Sequence, residues 1–273
     1  MSQPVLELVS VSKRFGDFLA LDAMDMRLDR GQVLGFLGPN GAGKTTTLRL
    51  ITGLLRPTAG TIRVCGMDVV RQAIEAKRRV GFISDRPYVY EKLTGAEFLR
   101  FVGGLWSMSP AAIAEEGARW LGRFSLEGWA GEPVESYSHG MRQRLLLCAA
   151  LLHRPDLLIM DEPMVGLDPR GAVLLKQVVR ELAEQHGLSV LLSTHTLDVV
   201  EQVCDMVAII DRGRLVAAGP LDEVRRAHGA EDGRLEELFL RLTGAPADVG
   251  APKDPGPPPP GASPPGPSKG SAP

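Results

Sequence analysis

The pattern of apolar and polar positions predicts β-strands of two kinds. Residues 33–37 and 157–160 are continuously apolar or small, which is typical of parallel strands that a sheet buries on both faces. Residues 24–28 alternate Met, Asp, Met, Arg and Leu, as expected of an antiparallel strand with one solvated face. Together with residues 5–11 and 60–64, this segment predicts a small antiparallel β lobe beside a mostly parallel sheet.

Helical periodicity dominates the middle of the chain. Apolar side chains in residues 96–105 and 111–124 recur at the spacing of an amphipathic helix. These segments belong to a predicted helical lobe over about residues 87–150, where an exposed aromatic residue would be a candidate docking contact. Because strands and helices alternate elsewhere, the predicted fold class is α/β. Further strands are predicted at residues 80–83, 189–192, 206–210 and 214–218, and further helices at residues 172–186, 196–204, 221–228 and 235–242.

The composition changes at residue 245. Of the 21 prolines, 11 fall in the last 29 residues, among glycine, serine and alanine. Such a segment cannot bury enough apolar surface to fold, so a disordered tail of extended polyproline character is expected. The predicted organisation is one domain over residues 1–228, a C-terminal helix over residues 229–244 and a disordered tail over residues 245–273.

A phosphate-binding loop follows the first apolar strand. It has the pattern Gly-x-x-x-x-Gly-Lys-Thr, and a helix-compatible segment over residues 44–55 leaves it. Its glycines let successive N–H groups point into one hollow, and the helix dipole adds to their attraction for phosphate. The lysine would neutralise phosphate charge, and the hydroxyl of Thr45 would bind Mg²⁺. The predicted nucleotide-binding residues of this loop are Gly38, Pro39, Asn40, Gly41, Ala42, Gly43, Lys44, Thr45 and Thr46.

Two carboxylates end the second apolar strand. Ligands of open α/β sheets bind at the carboxyl ends of strands, so Asp161 is predicted on the Mg²⁺ side of a nucleotide site. Glu162 is placed to take a proton from an attacking water. His195 follows another strand and could donate to a γ-phosphate. Three histidines lack such a context and are expected at solvated surface positions: His153, His186 and His228.

A short motif between the loop and the acidic strand carries a family resemblance. Ser138 and Gly140, followed by an apolar run over residues 145–152, resemble the Leu-Ser-Gly-Gly-Gln signature of the ATP-binding cassette (ABC) family. The chain departs from that signature at Tyr137, His139 and Met141. The serine hydroxyl and the N–H groups at a helix start remain, and these can hold a γ-phosphate.

The resemblance covers about residues 5–219 and implies roles for further residues. Phe15 falls at the adenine-stacking aromatic, although a lone phenylalanine can equally be a core residue. His195 falls at the switch histidine, and residues 166–168 fall at a loop that contacts the opposite subunit. Asp85 stands where the family usually has glutamine and in some branches glutamate. Its shorter carboxylate could reach a Mg²⁺-bound water, or it could merely cap the next segment.

An ATPase that uses ATP and Mg²⁺ is what this resemblance implies. In the family, the signature of one subunit covers the γ-phosphate bound to another, so ATP closes a dimer of identical or related subunits and hydrolysis opens it. The variant signature and residues 90–94 look most like bacterial exporter subunits, which implies membrane-spanning permease partners and a place at the cytoplasmic face of the cell membrane.

Two other classes of protein remain as alternatives. Soluble ABC ATPases of translation or DNA repair typically carry two cassettes, a coiled-coil insertion or metal-binding cysteines, none of which is visible in this sequence. A small-molecule kinase with a phosphate loop would not need the signature or the switch histidine.

Charge and cysteine content limit the range of partners. A net charge of −2 and a pI near 6.2 give no basic footprint, so no nucleic-acid partner is expected. Cys65, Cys148 and Cys204 are widely spaced and suggest inert thiols in a reducing compartment. No run of 18 apolar residues and no signal peptide are visible, so another polypeptide would supply any pore.

Overall fold

A computed structural model describes residues 3–85, 88–165, 167, 169–228 and 235–244. The predicted tail at residues 245–273 lies outside this range, as do residues 229–234 of the predicted C-terminal helix. The elements in chain order are β1 (Leu6–Phe15), β2 (Phe18–Leu28), β3 (Val33–Leu37), α1 (Lys44–Ile51), β4 (Ala59–Val64), β5 (Met67–Asp68), α2 (Ala73–Lys77), β6 (Val80–Ile83), α3 (Gly95–Leu105), α4 (Pro110–Arg123), α5 (His139–Leu151), β7 (Leu157–Asp161), α6 (Pro169–His186), β8 (Ser189–Ser193), α7 (Leu197–Val203), β9 (Met206–Asp211), β10 (Arg214–Pro220), α8 (Leu221–Ala227) and α9 (Leu235–Thr243).

Two sheets organise the described residues. The larger sheet has six strands in the order β10-β9-β3-β8-β7-β6, in which β9, β3, β8, β7 and β6 run parallel and β10 is antiparallel. The smaller sheet is antiparallel, in the order β2-β1-β4-β5. The α/β fold class with an antiparallel β lobe and a helical lobe is therefore confirmed.

The larger sheet is covered on both faces, as its apolar strands predict. Leu158 and Met160 of β7 belong to an apolar core shared with the helical lobe and α6. Leu157 and Ile159, which alternate with them, belong to a second core shared with the β lobe and α1. Side chains that alternate along a strand point to opposite faces, so a strand between two cores must be apolar at nearly every position.

Local sequence explains where the helices begin and end. Thr94 caps α3 in a reciprocal pair with Glu97, while Ser109 caps α4, whose first residue is proline. Helix α1 ends at Ile51, four residues before the predicted end at Leu55, because Gly53 takes a left-handed φ of 67°. No helix of the described residues is long and apolar enough to cross a membrane.

His153 corrects one prediction from the sequence. It is partly buried rather than solvated, its ring stacks on Trp106 with centroids 4.1 Å apart, and its Nε2 lies 3.1 Å from the carbonyl oxygen of Val80. Burial lowers the pKa of His153. The imidazole therefore links the end of α3 to the start of β6. His186 is exposed as predicted, and His228 is partly exposed.

The three thiols are free, as the sequence predicts. Cys148 and Cys204 are buried, whereas Cys65 is partly exposed at the turn between β4 and β5. Burial raises the pKa of Cys204 to about 12 and also raises the pKa values of Cys148 and Cys65, so these thiols stay protonated at neutral pH.

Candidate nucleotide-binding active site

The candidate site lies at one edge of the larger sheet. Strands β3, β8, β7 and β6 are parallel neighbours, so their carboxyl ends meet at the same edge. The phosphate loop leaves β3, His195 follows β8, Glu162 follows β7 and Asp85 follows β6. The sheet topology thus brings to one edge residues that are far apart in the sequence.

The phosphate loop has a backbone that only glycine adopts readily. Gly41 has a φ of 79°, and Gly43, which caps α1, has a φ of 111°. The free N–H groups at the start of α1 therefore turn toward the loop, together with the positive end of the helix dipole. This combination suits the charge and size of a nucleotide's phosphates.

Lys44 places a positive charge inside the loop. Its side chain is buried, with the residue 8% exposed, and Nζ donates to the carbonyl oxygens of Gly38 at 2.5 Å and Pro39 at 3.3 Å. Burial lowers the pKa of Lys44, while the negative charges of Glu162 and Asp161 oppose that shift. An anionic ligand in the loop would stabilise the charged lysine further.

Asp161 and Thr45 supply oxygen atoms on the acidic side of the loop. The Thr45 hydroxyl donates to Oδ2 of Asp161 over 3.3 Å, and Asp161 is only 3% exposed. Burial raises the pKa of Asp161, and the nearby carboxylates of Asp85 and Glu162 raise it further. A hydroxyl and a carboxylate oxygen side by side, next to a phosphate loop, are the protein ligands that Mg²⁺ takes in nucleotide sites, so this donor set fits that ion.

Glu162 and His195 are in direct contact. Nδ1 of His195 lies 2.9 Å from Oε1 of Glu162, and the Thr194 hydroxyl donates to the other carboxylate oxygen over 3.2 Å. Glu162 has a φ of 50°, an uncommon value for a residue with a side chain and one that occurs at functional sites. A carboxylate held in this way beside the phosphate loop could accept a proton from a water molecule.

The comparisons with known proteins decide the family. The sequence model of the family described as "ABC transporter" matches residues 21–165, which is more than half of the chain. The chain belongs to the ABC transporter family. ABC ATP-binding chains bind and hydrolyse ATP, and this chain is such an ATPase subunit.

Relatives and a solved structure agree with that assignment. The daunorubicin resistance ATP-binding protein DrrA3 of Streptomyces coeruleorubidus is 40% identical over 259 residues, which cover 91% of this chain and 82% of that protein. The Nod factor export ATP-binding protein I of Cupriavidus metallidurans is 39% identical over 220 residues, covering 81% of this chain and 72% of that protein. A solved ATP-binding subunit of an ABC transporter superposes with a TM-score of 0.81 at 34% identity, covering 87% of this chain and 99% of that structure.

The segment that resembles the ABC signature lies at the start of α5. Ser138 is exposed and caps that helix, because its hydroxyl accepts from the N–H of Met141 over 3.3 Å. Gly140 is partly exposed, and Nε2 of His139 lies 3.4 Å from the carbonyl oxygen of Val165. Within the described part of the chain, no hydrogen bond joins Ser138 or Gly140 to the phosphate loop of the same copy.

The remaining predicted residues lie at the margins of the site. Phe15 ends β1, is 43% exposed, and has Nζ of Lys13 4.9 Å from its ring centroid. Asp85 is exposed, and its charge acts on Asp161. Gly166 and Asp168 of the predicted subunit-contact loop lie outside the described residues.

Thr194 was not predicted as a site residue, although a hydroxyl directly before His195 at a strand end could have drawn attention to it.

Proposed function

We propose that this chain hydrolyses Mg-ATP at sites shared by two ATP-binding subunits and thereby drives export through separate membrane-spanning permeases. The two subunits would be identical copies or one copy and a related chain. They would lie at the cytoplasmic face of the membrane. The proposal rests above all on the convergence of Lys44, Asp161, Glu162 and His195 at the carboxyl edge of the larger sheet.

The hydrolytic step is assigned to residues on the acidic side of the loop. Glu162 accepts a proton from the water that attacks the γ-phosphate. His195, which contacts that carboxylate through Nδ1, turns its N–H to the phosphate when the nucleotide binds. Lys44 and the loop N–H groups, with Phe15 against the adenine, hold the nucleotide. Thr45 and Asp161 would bind Mg²⁺, with Asp85 reaching its water shell, and the bound ion would supply positive charge to the phosphates.

The signature is proposed to act on a second copy. Ser138 and Gly140 are accessible at the start of α5, where helix N–H groups attract an anion. In the closed dimer the γ-phosphate contacts the loop of one copy and the signature of the other, so ATP binds the closed dimer more tightly than the open one. That difference in affinity is what a ligand-driven switch requires, and hydrolysis removes it.

An aromatic groove on the helical lobe is the proposed permease contact. Tyr88, Tyr90 and Phe101 are 78%, 45% and 41% exposed, and their rings pack edge to face with centroids 5.3 and 5.0 Å apart. They line a groove of about 850 Å³ that also includes Asp85 and His139. Exposed aromatic clusters are typical anchors of protein partners.

Ion pairs connect this groove to the signature helix. Arg142 of α5 donates to Glu91 over 3.0 Å and to the carbonyl oxygen of Glu135 over 2.9 Å, and Lys92 pairs with Glu135 at 2.6 Å. Movement of α5 when a dimer closes would therefore move the groove. This is a physical route from nucleotide to permease.

Export of a small molecule by the permease is the proposed outcome. Two relatives carry names that refer to daunorubicin resistance and to Nod factor export. The alternative, a soluble ABC ATPase of translation or DNA repair, is not favoured because these two relatives are named for resistance and export.

The general base is tested by replacing Glu162 with glutamine. Glu162→Gln keeps the size of the side chain but removes its basicity, so ATP turnover should fall by roughly 10²–10⁴-fold while ATP still binds. Glu184→Gln, at an exposed position of α6, is the matched control and should keep wild-type turnover. Wild-type turnover in purified Glu162→Gln would contradict the proposed role.

A further inference from the structure

Thr194 is a fully buried polar residue beside the proposed general base. It follows β8 directly and is 0% exposed. Its N–H donates to the carbonyl oxygen of Phe36 over 3.3 Å, which ties it to the strand that leads into the phosphate loop. Its position is therefore set by the same sheet edge that carries the loop.

The N–H of Thr196 and the carboxylate of Glu162 set the direction of the Thr194 hydroxyl proton. Its oxygen accepts from the N–H of Thr196 over 3.1 Å, a local bond of the kind that serine and threonine make two residues ahead. With that N–H against the oxygen, the hydroxyl proton points to Oε2 of Glu162, 3.2 Å away. Burial keeps water from competing for this bond.

The two partners of Glu162 differ in their freedom. Oε1 faces His195, whose side chain is 63% exposed, while Oε2 faces the buried Thr194. A glutamate side chain has three rotatable bonds, and it performs general-base catalysis only when its carboxylate stays aligned with the attacking water. The exposed histidine is free to respond to the nucleotide, so the fixed support comes from the threonine.

We propose that Thr194 is a positioning residue for ATP hydrolysis. Its hydroxyl holds the Glu162 carboxylate in the orientation that accepts the proton of the attacking water, and anchors it to the strand that carries the phosphate loop. The inference rests on the proposed role of Glu162 as the general base.

Thr194→Val and Thr194→Ser separate the hydroxyl from the shape of the side chain. Valine keeps the branched shape and volume but cannot donate, and the N–H of the exposed Thr196 can turn to water instead. We expect kcat to fall about 10-fold with KM for ATP changed less than about twofold, because alignment affects turnover and not nucleotide binding. Serine restores the donor, so Thr194→Ser should recover kcat to within about threefold of wild type.

Thr243→Val is the matched control. Thr243 is also buried, at 7% exposure, and its hydroxyl donates to the carbonyl oxygen of Phe239 at the far end of α9. Thr243→Val loses a hydroxyl as Thr194→Val does, but on α9 and not beside Glu162, so kcat and KM should both stay at wild-type values. A fall in kcat as large as that of Thr194→Val would identify a general effect of losing a buried hydroxyl and overturn the inference.

Glu162→Gln measured in parallel distinguishes the possible failures. If Glu162→Gln is inactive while folded Thr194→Val has wild-type kcat, the positioning role is wrong and the general base stands. If Glu162→Gln itself turns over at the wild-type rate, the proposed base is wrong and the positioning role falls with it. A Thr194→Val protein with a raised KM and an unchanged kcat also contradicts the inference. So does a Thr194→Ser protein whose kcat is as low as that of Thr194→Val.

Discussion

The carboxyl edge of the larger sheet and the aromatic groove of the helical lobe differ in the solvent exposure of their key side chains. At the sheet edge, Lys44, Asp161 and Thr194 are 8%, 3% and 0% exposed, and each has hydrogen-bond partners within the chain. In the groove, Tyr88 and Tyr90 are 78% and 45% exposed. The side chains of the candidate site are thus held within the chain, whereas those of the groove, the proposed permease contact, are exposed.

Asp85 belongs to both regions. It lines the groove, and its charge raises the pKa of Asp161 across the site. A partner that binds the groove therefore contacts a residue that acts electrostatically on the proposed Mg²⁺ ligand. The two regions differ in burial but share a boundary, and substitutions on each side of that boundary should have separable effects.

Loss of Lys44 should have the largest effect. Lys44→Ala removes the buried charge that the phosphates need, so we expect turnover below about 1% of wild type and much weaker nucleotide binding, with an unchanged circular dichroism spectrum. Lys77→Ala, at an exposed position of α2, is the control. A folded Lys44→Ala protein with normal ATPase activity would remove the loop from the site.

Substitutions in the groove should affect the partner and not the chemistry. Tyr90→Ala and Phe101→Ala truncate neighbouring rings of the cluster, so permease recovered by co-purification from detergent-solubilised membranes should fall about 10-fold. ATPase activity of the isolated subunit should stay unchanged. Ile74→Ala, 69% exposed on α2, is the control. Full partner recovery with both aromatic variants would show that the permease binds elsewhere.

Asp85 should show an intermediate effect. Asp85→Gln restores the residue that the family usually has, and Asp85→Asn removes the charge at constant length. If the carboxylate acts on the Mg²⁺ shell, both variants should change the Mg²⁺ concentration for half-maximal activity by several-fold. Overlapping Mg²⁺ titrations for all three proteins would contradict a role of Asp85 in the Mg²⁺ shell.

The sequence predicted the sheet edge better than the contacts around it. Continuous apolar runs require burial on both faces, so the strands and the polar residues that end them could be placed from local pattern alone. The bond from Thr194 to Glu162 joins the ends of two strands that are far apart in the sequence, and Glu162 has a left-handed backbone, so no local pattern predicts this contact. His153 was misplaced because its partner Trp106, which directly follows α3, is far from it in the sequence.

His153 should give the smallest effect, on stability. The pKa of His153 is lowered in the folded protein. As pH falls below about 6.5, the unfolded chain therefore binds a proton before the folded chain does, and the stabilisation that neutral His153 gives above that pH is lost. His153→Gln should cost about 1 kcal/mol at pH 7.5, or a Tm about 2–4 °C lower, through the lost stack and weaker hydrogen bond. The difference in Tm between wild type and His153→Gln should shrink as pH falls from 7 to 5. A constant difference would contradict this explanation.

The mass of Glu162→Gln in solution tests the shared-site mechanism most directly. If one copy's signature covers the other's γ-phosphate, the variant should trap ATP between two copies. Light scattering with saturating Mg-ATP should then give twice the 29.4 kDa mass of the chain, and the same protein with Mg-ADP should be a monomer. A monomer that binds Mg-ATP stoichiometrically, beside a wild-type protein that hydrolyses it, would contradict a site built from two copies of this chain.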